Sequence, residues 1–236
     1  YNGLNNIGGN RKEWALNPNG KNKETLLKIN RSPLRYPGGK TRACKILENV
    51  LLQHFDLSKF ENFVSPFFGG GSFEFYIQNK YQLNIIANDA FFPLYNFWRM
   101  CKIDQHSLYQ SIKNYHGRIS KITFKNMQNS IKKNEEKLIM ATYYFVINRC
   151  SFNGSTLSGG FSKEASKKRF TYKSTEKIAH LNLDNFEISN KDFEEFINEN
   201  TCEKSFIFLD PPYFLNENSK LYGFRGDMHK GFCHEK

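Results

Sequence analysis

Between residues 62 and 89 the sequence changes period twice, and no other feature constrains the architecture as strongly. Asn62-Phe63-Val64-Ser65-Pro66 reads as a short buried strand, Phe67-Phe68-Gly69-Gly70-Gly71-Ser72 breaks it, and the apolar run 73–77 continues as a helix. A second strand, Leu83-Asn84-Ile85-Ile86-Ala87, ends on Asn88-Asp89. Two strands joined through a helical crossover pair in parallel. The fold class that follows is α/β with a doubly wound, mostly parallel sheet.

The alternation stops after Asp89 and resumes late. Phe186-Glu187-Ile188, a short helix over 192–198 and the apolar strand Phe206-Ile207-Phe208-Leu209, which ends on Asp210, restore it. The intervening stretch holds a helix over 135–147, a Gly- and Ser-rich loop over 153–162 and a basic run to Lys177. Upstream, Pro37-Gly38-Gly39 turns into a helix whose apolar stripe is Ala43, Ile46, Leu47, Val50 and Leu51. Residues 1–31 mix Asn, Gly and Lys with few apolar side chains and read as a flexible lead-in. The expected organisation is one α/β domain over 32–90 and 184–236, interrupted by an inserted helical lobe over 91–183. A chain of 236 residues suffices for one such core.

The chain carries 34 Lys and Arg against 23 Asp and Glu, a formal charge of +11 that favours a polyanionic partner but is shared by many basic enzymes. Five scattered cysteines with no C-x-x-C pair indicate neither a disulfide framework nor a zinc ribbon, and predict a reducing compartment. No apolar run reaches spanning length, so the expectation is an intracellular protein without a membrane partner, cytoplasmic or nucleoid-associated.

Three glycines after a strand permit a sharp turn and close backbone approach, and alone they indicate only a tight turn. Asp89, at the end of the next strand and twenty residues beyond Gly69, is where a carboxylate binds a ribose's hydroxyls. The loop reads G-G-G rather than G-x-G-x-x-G and adjoins no phosphate-binding residue, which favours a nucleoside without phosphate, such as S-adenosylmethionine. Asp210-Pro211-Pro212-Tyr213 suits the presentation of a planar ring's amine to an electrophilic methyl. Two prolines remove N–H donors and fix φ, so the carbonyls can be aimed as acceptors. Asp210 adds an acceptor and Tyr213 a stacking face, so the chemistry is positioning and electrostatics with no covalent intermediate.

Together these motifs resemble the Dam-type (D12 class) adenine-specific DNA N6-methyltransferases, from about Ser32 to the last residue. L-R-Y-P-G-G-K (34–40) is similar to the family's opening cofactor motif, S-P-F-F-G-G-G-S-F (65–73) to its glycine loop, Asn88-Asp89 to its ribose-binding acid, and D-P-P-Y to its catalytic motif. The resemblance implies a Rossmann-like fold with S-adenosylmethionine as cofactor, and a catalytic set of Asp210, Pro211, Pro212 and Tyr213. It places Tyr36, Lys40, Phe67, Gly69, Gly71, Asp89 and Asp210 around the cofactor, with Asp192 and Phe193 at its adenine ring; an acid opening a helix is otherwise its cap. No metal is implied. The partner implied is double-stranded DNA, with a cognate restriction endonuclease acting on the same site as a further candidate.

I-N-R-C-S-F-N-G (147–154) is similar to a segment of the family's DNA-recognition lobe, which points to Arg149 and Asn153. Lys163, Lys167, Lys168, Arg169, Lys173 and Lys177, interleaved with Phe161, Phe170 and Tyr172, suit phosphates and exposed bases. A duplex shields the target amine, so the adenine must be flipped out. Two features depart from the family's pattern. Ser65 stands where Glu is usual before Pro-Phe, and the family's chain continues past 221–232 into strands that complete the sheet beside D-P-P-Y. Those strands are expected to be missing here, leaving an uncovered strand edge. His229, Cys233 and His234 read as a helix start rather than as metal ligands. Cytosine-N4 methylation, and a non-catalytic DNA-binding remnant, are the alternative readings.

Overall fold

Strand β1 (Asn62–Ser65) is central because its middle residues, Phe63 and Val64, are apolar on both faces and fully buried. The computed structural model describes residues 30–133, 136–213, 223–224, 227–230 and 232–233. On one side β1 pairs in parallel with β2 (Asn84–Asn88), which pairs in turn with β3 (Phe186–Ser189); on the other it pairs with β4 (Ser205–Ile207). The order β3-β2-β1-β4 reverses direction at β1, which opens a crevice at the carboxyl ends of β1 and β4. The doubly wound parallel sheet expected from the sequence is present. The apolar strand expected over 206–209 is shorter: Phe208 N–H still donates to the Val64 carbonyl at 2.9 Å, but Leu209 is exposed. Among the described residues β4 pairs only with β1.

Helix α1 (Cys44–His54) buries a different face from the one its apolar spacing suggests. Ile46 and Val50 face outward at 67% and 49% exposure, while Cys44 and Glu48 are buried, with Leu47 and Leu51 half-buried beside them. Glu48 turns inward because the next helix satisfies it. Tyr76 donates to it at 2.7 Å, Tyr81 donates to the other oxygen, and Lys80 forms an ion pair at 2.6 Å. That helix, α2 (Ser72–Tyr81), crosses from β1 to β2, and Gly71 at φ 66 turns the chain into it.

Between β2 and β3 run α3 (Phe92–Ile103), α4 (Gln105–Lys113), α5 (Lys121–Lys132), α6 (Lys137–Cys150), α7 (Lys163–Lys168) and α8 (Tyr172–Ala179). The helix expected over 135–147 is α6; it extends three residues further and packs against α3, α4, α5 and α7. Its apolar residues join one continuous core with the sheet, through Phe97, Trp98, Tyr144 and Phe145. Helix α9 (Phe193–Asn200) links β3 to β4, and the four-residue α10 (Asp227–Lys230) follows.

Candidate active site

The crevice at the β1/β4 switch point is a cavity of about 380 Å³. The glycine loop forms its floor and is held at every turn. Gly69 N–H donates to Asp89 Oδ2 at 2.9 Å, Trp98 Nε1 donates to the Gly69 carbonyl at 3.0 Å, and Phe91 N–H donates to Asp89 Oδ1 at 2.9 Å. Burial pushes the Asp89 carboxyl up to about 6, against the pull of those two donors. Asn88 ties the same floor to the loop before α9, donating to the Pro66 and Lys191 carbonyls and accepting from Lys191 N–H at 2.8 Å.

The glycines have a use the sequence did not show. A Cβ on Gly70 would lie 2.6 Å from Tyr36 Cβ, and one on Gly69 2.9 Å from Tyr36 Cε1, so the loop is bare where the Tyr36 ring lies on it. The L-R-Y-P-G-G-K segment and the glycine loop are thus packed face to face.

At the mouth, the end of β4 meets that opening segment. Lys40 Nζ lies 2.6 and 2.9 Å from the two Asp210 carboxylate oxygens and donates to the Tyr213 hydroxyl at 2.6 Å. Burial works against the Lys40 charge, but its hydrogen bonds to Asp210 and Tyr213 outweigh it and raise the pKa of the ammonium. At the other end Phe67, Phe193 and Phe232 form a cluster with ring centroids 5.4 to 5.6 Å apart. Asp192 caps α9, accepting from Glu194 N–H at 2.9 Å, and also lines the cavity. Every residue that the sequence points to for catalysis or cofactor binding lines this one cavity. Lys40 is the only Lys or Arg among its described lining residues, and it is paired with Asp210.

The residue pattern of the D12 class N6 adenine-specific DNA methyltransferases matches residues 36–234. The chain belongs to this family. It is 22% identical to the Type II methyltransferase M.MjaIII of Methanocaldococcus jannaschii over 207 residues, covering 80% of this chain and 71% of that one. It is 26% identical to the Type II methyltransferase M1.LlaDCHI of Lactococcus lactis subsp. cremoris over 223 residues, 88% of this chain and 74% of that one.

In this methyltransferase the N-R-C-S-F-N-G segment divides into a structural and an exposed part. Asn148, missed from the sequence, is fully buried: its Oδ1 accepts from Arg35 N–H at 2.9 Å, and its amide donates to the Arg35 carbonyl at 2.6 Å and to Thr156 Oγ1 at 3.0 Å. Arg149 is turned inward, donating to the Arg169 and Pro33 carbonyls, and burial with the neighbouring Arg35 and Arg169 charges lowers its pKa to about 10. Asn153 and Phe152 are exposed, Asn153 in the left-handed region at φ 51. Lys163 and Lys167 line a second groove with His116, Phe170 and Tyr172, whereas Lys168 pairs with Glu164 at 3.0 Å. Arg169 and Lys173 are exposed. Among the described residues there is no metal-ligand cluster and no helix long and apolar enough to cross a membrane. His234 and the His229 side chain lie outside the described residues.

Proposed function

We propose that this methyltransferase carries a methyl group from S-adenosylmethionine to N6 of an adenine turned out of duplex DNA, with Asp210, Pro211, Pro212 and Tyr213 as its catalytic residues. The observation that carries this reading is the convergence of Asp210, Tyr213 and Lys40 at the mouth of a cavity whose floor is the glycine loop and Asp89. S-adenosylmethionine supplies an electrophilic methyl on a sulfonium. Asp89 receives its ribose hydroxyls, the Phe67 and Phe193 rings receive its adenine beside Asp192, and Tyr36, Gly69, Gly71 and Lys40 enclose the rest. Asp210 and the rigid Pro211 carbonyl accept the two amine hydrogens of the target base, which aims the nitrogen lone pair at the methyl. Tyr213 stacks on the base, and Lys40 fixes the Asp210 rotamer. A DNA-binding remnant has no need of such a cavity.

Helices α3 to α8, within 91–183, serve as the target-recognition lobe. Lys163, Lys167, Lys168, Arg169 and Lys173 meet phosphates, and exposed Asn153 reaches the bases. Arg149 acts by holding the lobe to Pro33 and Arg169. The Type II names of the relatives support a restriction–modification setting, with a partner endonuclease cutting the same site, inside the cell where the DNA lies. The test is nucleoside analysis of genomic DNA from cells expressing the chain. N6-methyladenine is the expected product; N4-methylcytosine, or no modified base, contradicts the proposal.

A further inference from the structure

Asp89 and Asp210 do not exhaust the carboxylates of the cavity. Glu74, in the first turn of α2, is 4% exposed and lines the same cavity. Ser65, itself buried at the end of β1, donates its hydroxyl to Glu74 Oε1 at 2.7 Å. Among the described residues no cation lies within ion-pair distance of it, whereas Asp210 has Lys40 and buried Glu48 has Lys80. A buried carboxylate without a counter-charge is costly to keep ionised. The titratable groups that face it, Cys44 on α1 and Asp210 after β4, supply no positive charge.

We infer that Glu74, aimed by Ser65, is the counter-charge for the cationic end of the methyl donor, its α-ammonium or its sulfonium. The inference rests on the reading of the cavity as an S-adenosylmethionine site and adds a residue to it. It also accounts for Ser65: an acid expected at the end of β1 comes instead from α2, nine residues further on, and reaches the same place through the Ser65 hydroxyl. Burial, opposed by hydrogen bonds from the Ser65 hydroxyl and the Glu74 and Phe73 backbone and reinforced by Asp210, pushes the Glu74 carboxyl up to about 7. A cation in the cavity favours the ionised form, so binding below that pH releases a proton and affinity climbs as pH rises.

The test is calorimetric titration of the full chain with S-adenosylmethionine and with S-adenosylhomocysteine, which lacks the sulfonium charge. Glu74→Gln should weaken S-adenosylmethionine binding roughly ten- to a hundredfold, the worth of a charge-assisted contact. An equal loss for S-adenosylhomocysteine assigns the ammonium, and an unchanged affinity for it the sulfonium. The wild-type affinity for S-adenosylmethionine should climb between about pH 6 and pH 8, and that slope should flatten in Glu74→Gln. Equal affinities and equal pH profiles for the two proteins overturn the inference. Should Glu74→Gln not fold, Ser65→Ala decides: weaker binding with a displaced pH profile supports the inference, and a folded variant binding as wild type overturns it. A wild-type chain that binds neither ligand contradicts the cofactor reading itself, and this inference with it.

Discussion

Asp210 stands just past the end of β4, and its carboxylate holds the Lys40 ammonium. Asp210→Ala should cut methyl transfer by at least ~10²-fold, the order found when one preorganised partner of a transition state is removed. DNA affinity in a gel-shift titration should stay within about twofold, since a carboxylate makes no favourable contact with phosphate. A large loss of DNA binding would give Asp210 a structural role. In the proposed function Asp89 would have two duties, because the oxygens it would offer to a ribose also hold Gly69 and Phe91. Asp89→Ala should therefore lower cofactor affinity by ~1.5–3 kcal/mol and the melting temperature as well; loss of stability alone would leave it a loop anchor. For Glu74 the sign of the pH effect follows from its raised pKa. The fold favours the protonated form, so its contribution is present below the ordinary value of 4.5 and is lost as pH rises through about 7. Relative to Glu74→Gln, the wild type should lose about 2–3 kcal/mol of unfolding free energy between pH 4.5 and pH 8. Parallel urea-unfolding profiles for the two proteins would refute this.

At the scale of elements, the decisive contacts join segments far apart in sequence. Asn148, near the end of α6, clasps both backbone groups of Arg35, next to Tyr36, and so couples the helical lobe to the floor of the cavity. Asn148→Ala leaves two part-buried backbone groups of Arg35 without their partner and should cost ~1–3 kcal/mol, with weaker cofactor binding because Tyr36 loosens. Circular-dichroism melts and cofactor titrations check both, and a shift confined to stability would deny the coupling. That the glycine loop, Asp89 and D-P-P-Y meet at one cavity was legible in the sequence because each is a contiguous motif at or just past a strand end, where an α/β sheet gathers ligands. The Asn148 clasp was not, since nothing local marks Arg35 as its partner. Nor was the buried face of α1, because apolar spacing ranks Ile46 and Val50 above Glu48, and only Tyr76, Tyr81 and Lys80 make that glutamate an interior residue. By charge and motif alone Arg149 reads as a DNA contact, and nothing in the sequence signals that two of its N–H donors go to the Arg169 and Pro33 carbonyls.

At the scale of the molecule, a net charge of +11 gains meaning from where the cations sit. The cavity has a single paired lysine among its described lining residues, while the groove beside α7 presents Lys163 and Lys167 next to Phe170 and Tyr172. Replacing Lys163, Lys167 and Lys173 together by Gln should weaken binding to all duplex sequences alike and flatten the log–log salt slope by about 0.9 for each phosphate left without its cation. An unchanged slope in fluorescence-anisotropy titrations would make these lysines a solvated surface. In the proposed function the sheet with its switch-point cavity would hold the methyl donor and helices α3 to α8 the DNA, with Arg35 and Asn148 between them. The most direct test of this account is transfer of a labelled methyl group from S-adenosylmethionine to duplex DNA by the purified chain and by its Asp210→Ala variant, with the product identified after digestion to nucleosides. Label in N6-methyladenine from the wild type alone is the predicted result; label in cytosine, or equal transfer by the variant, would contradict it.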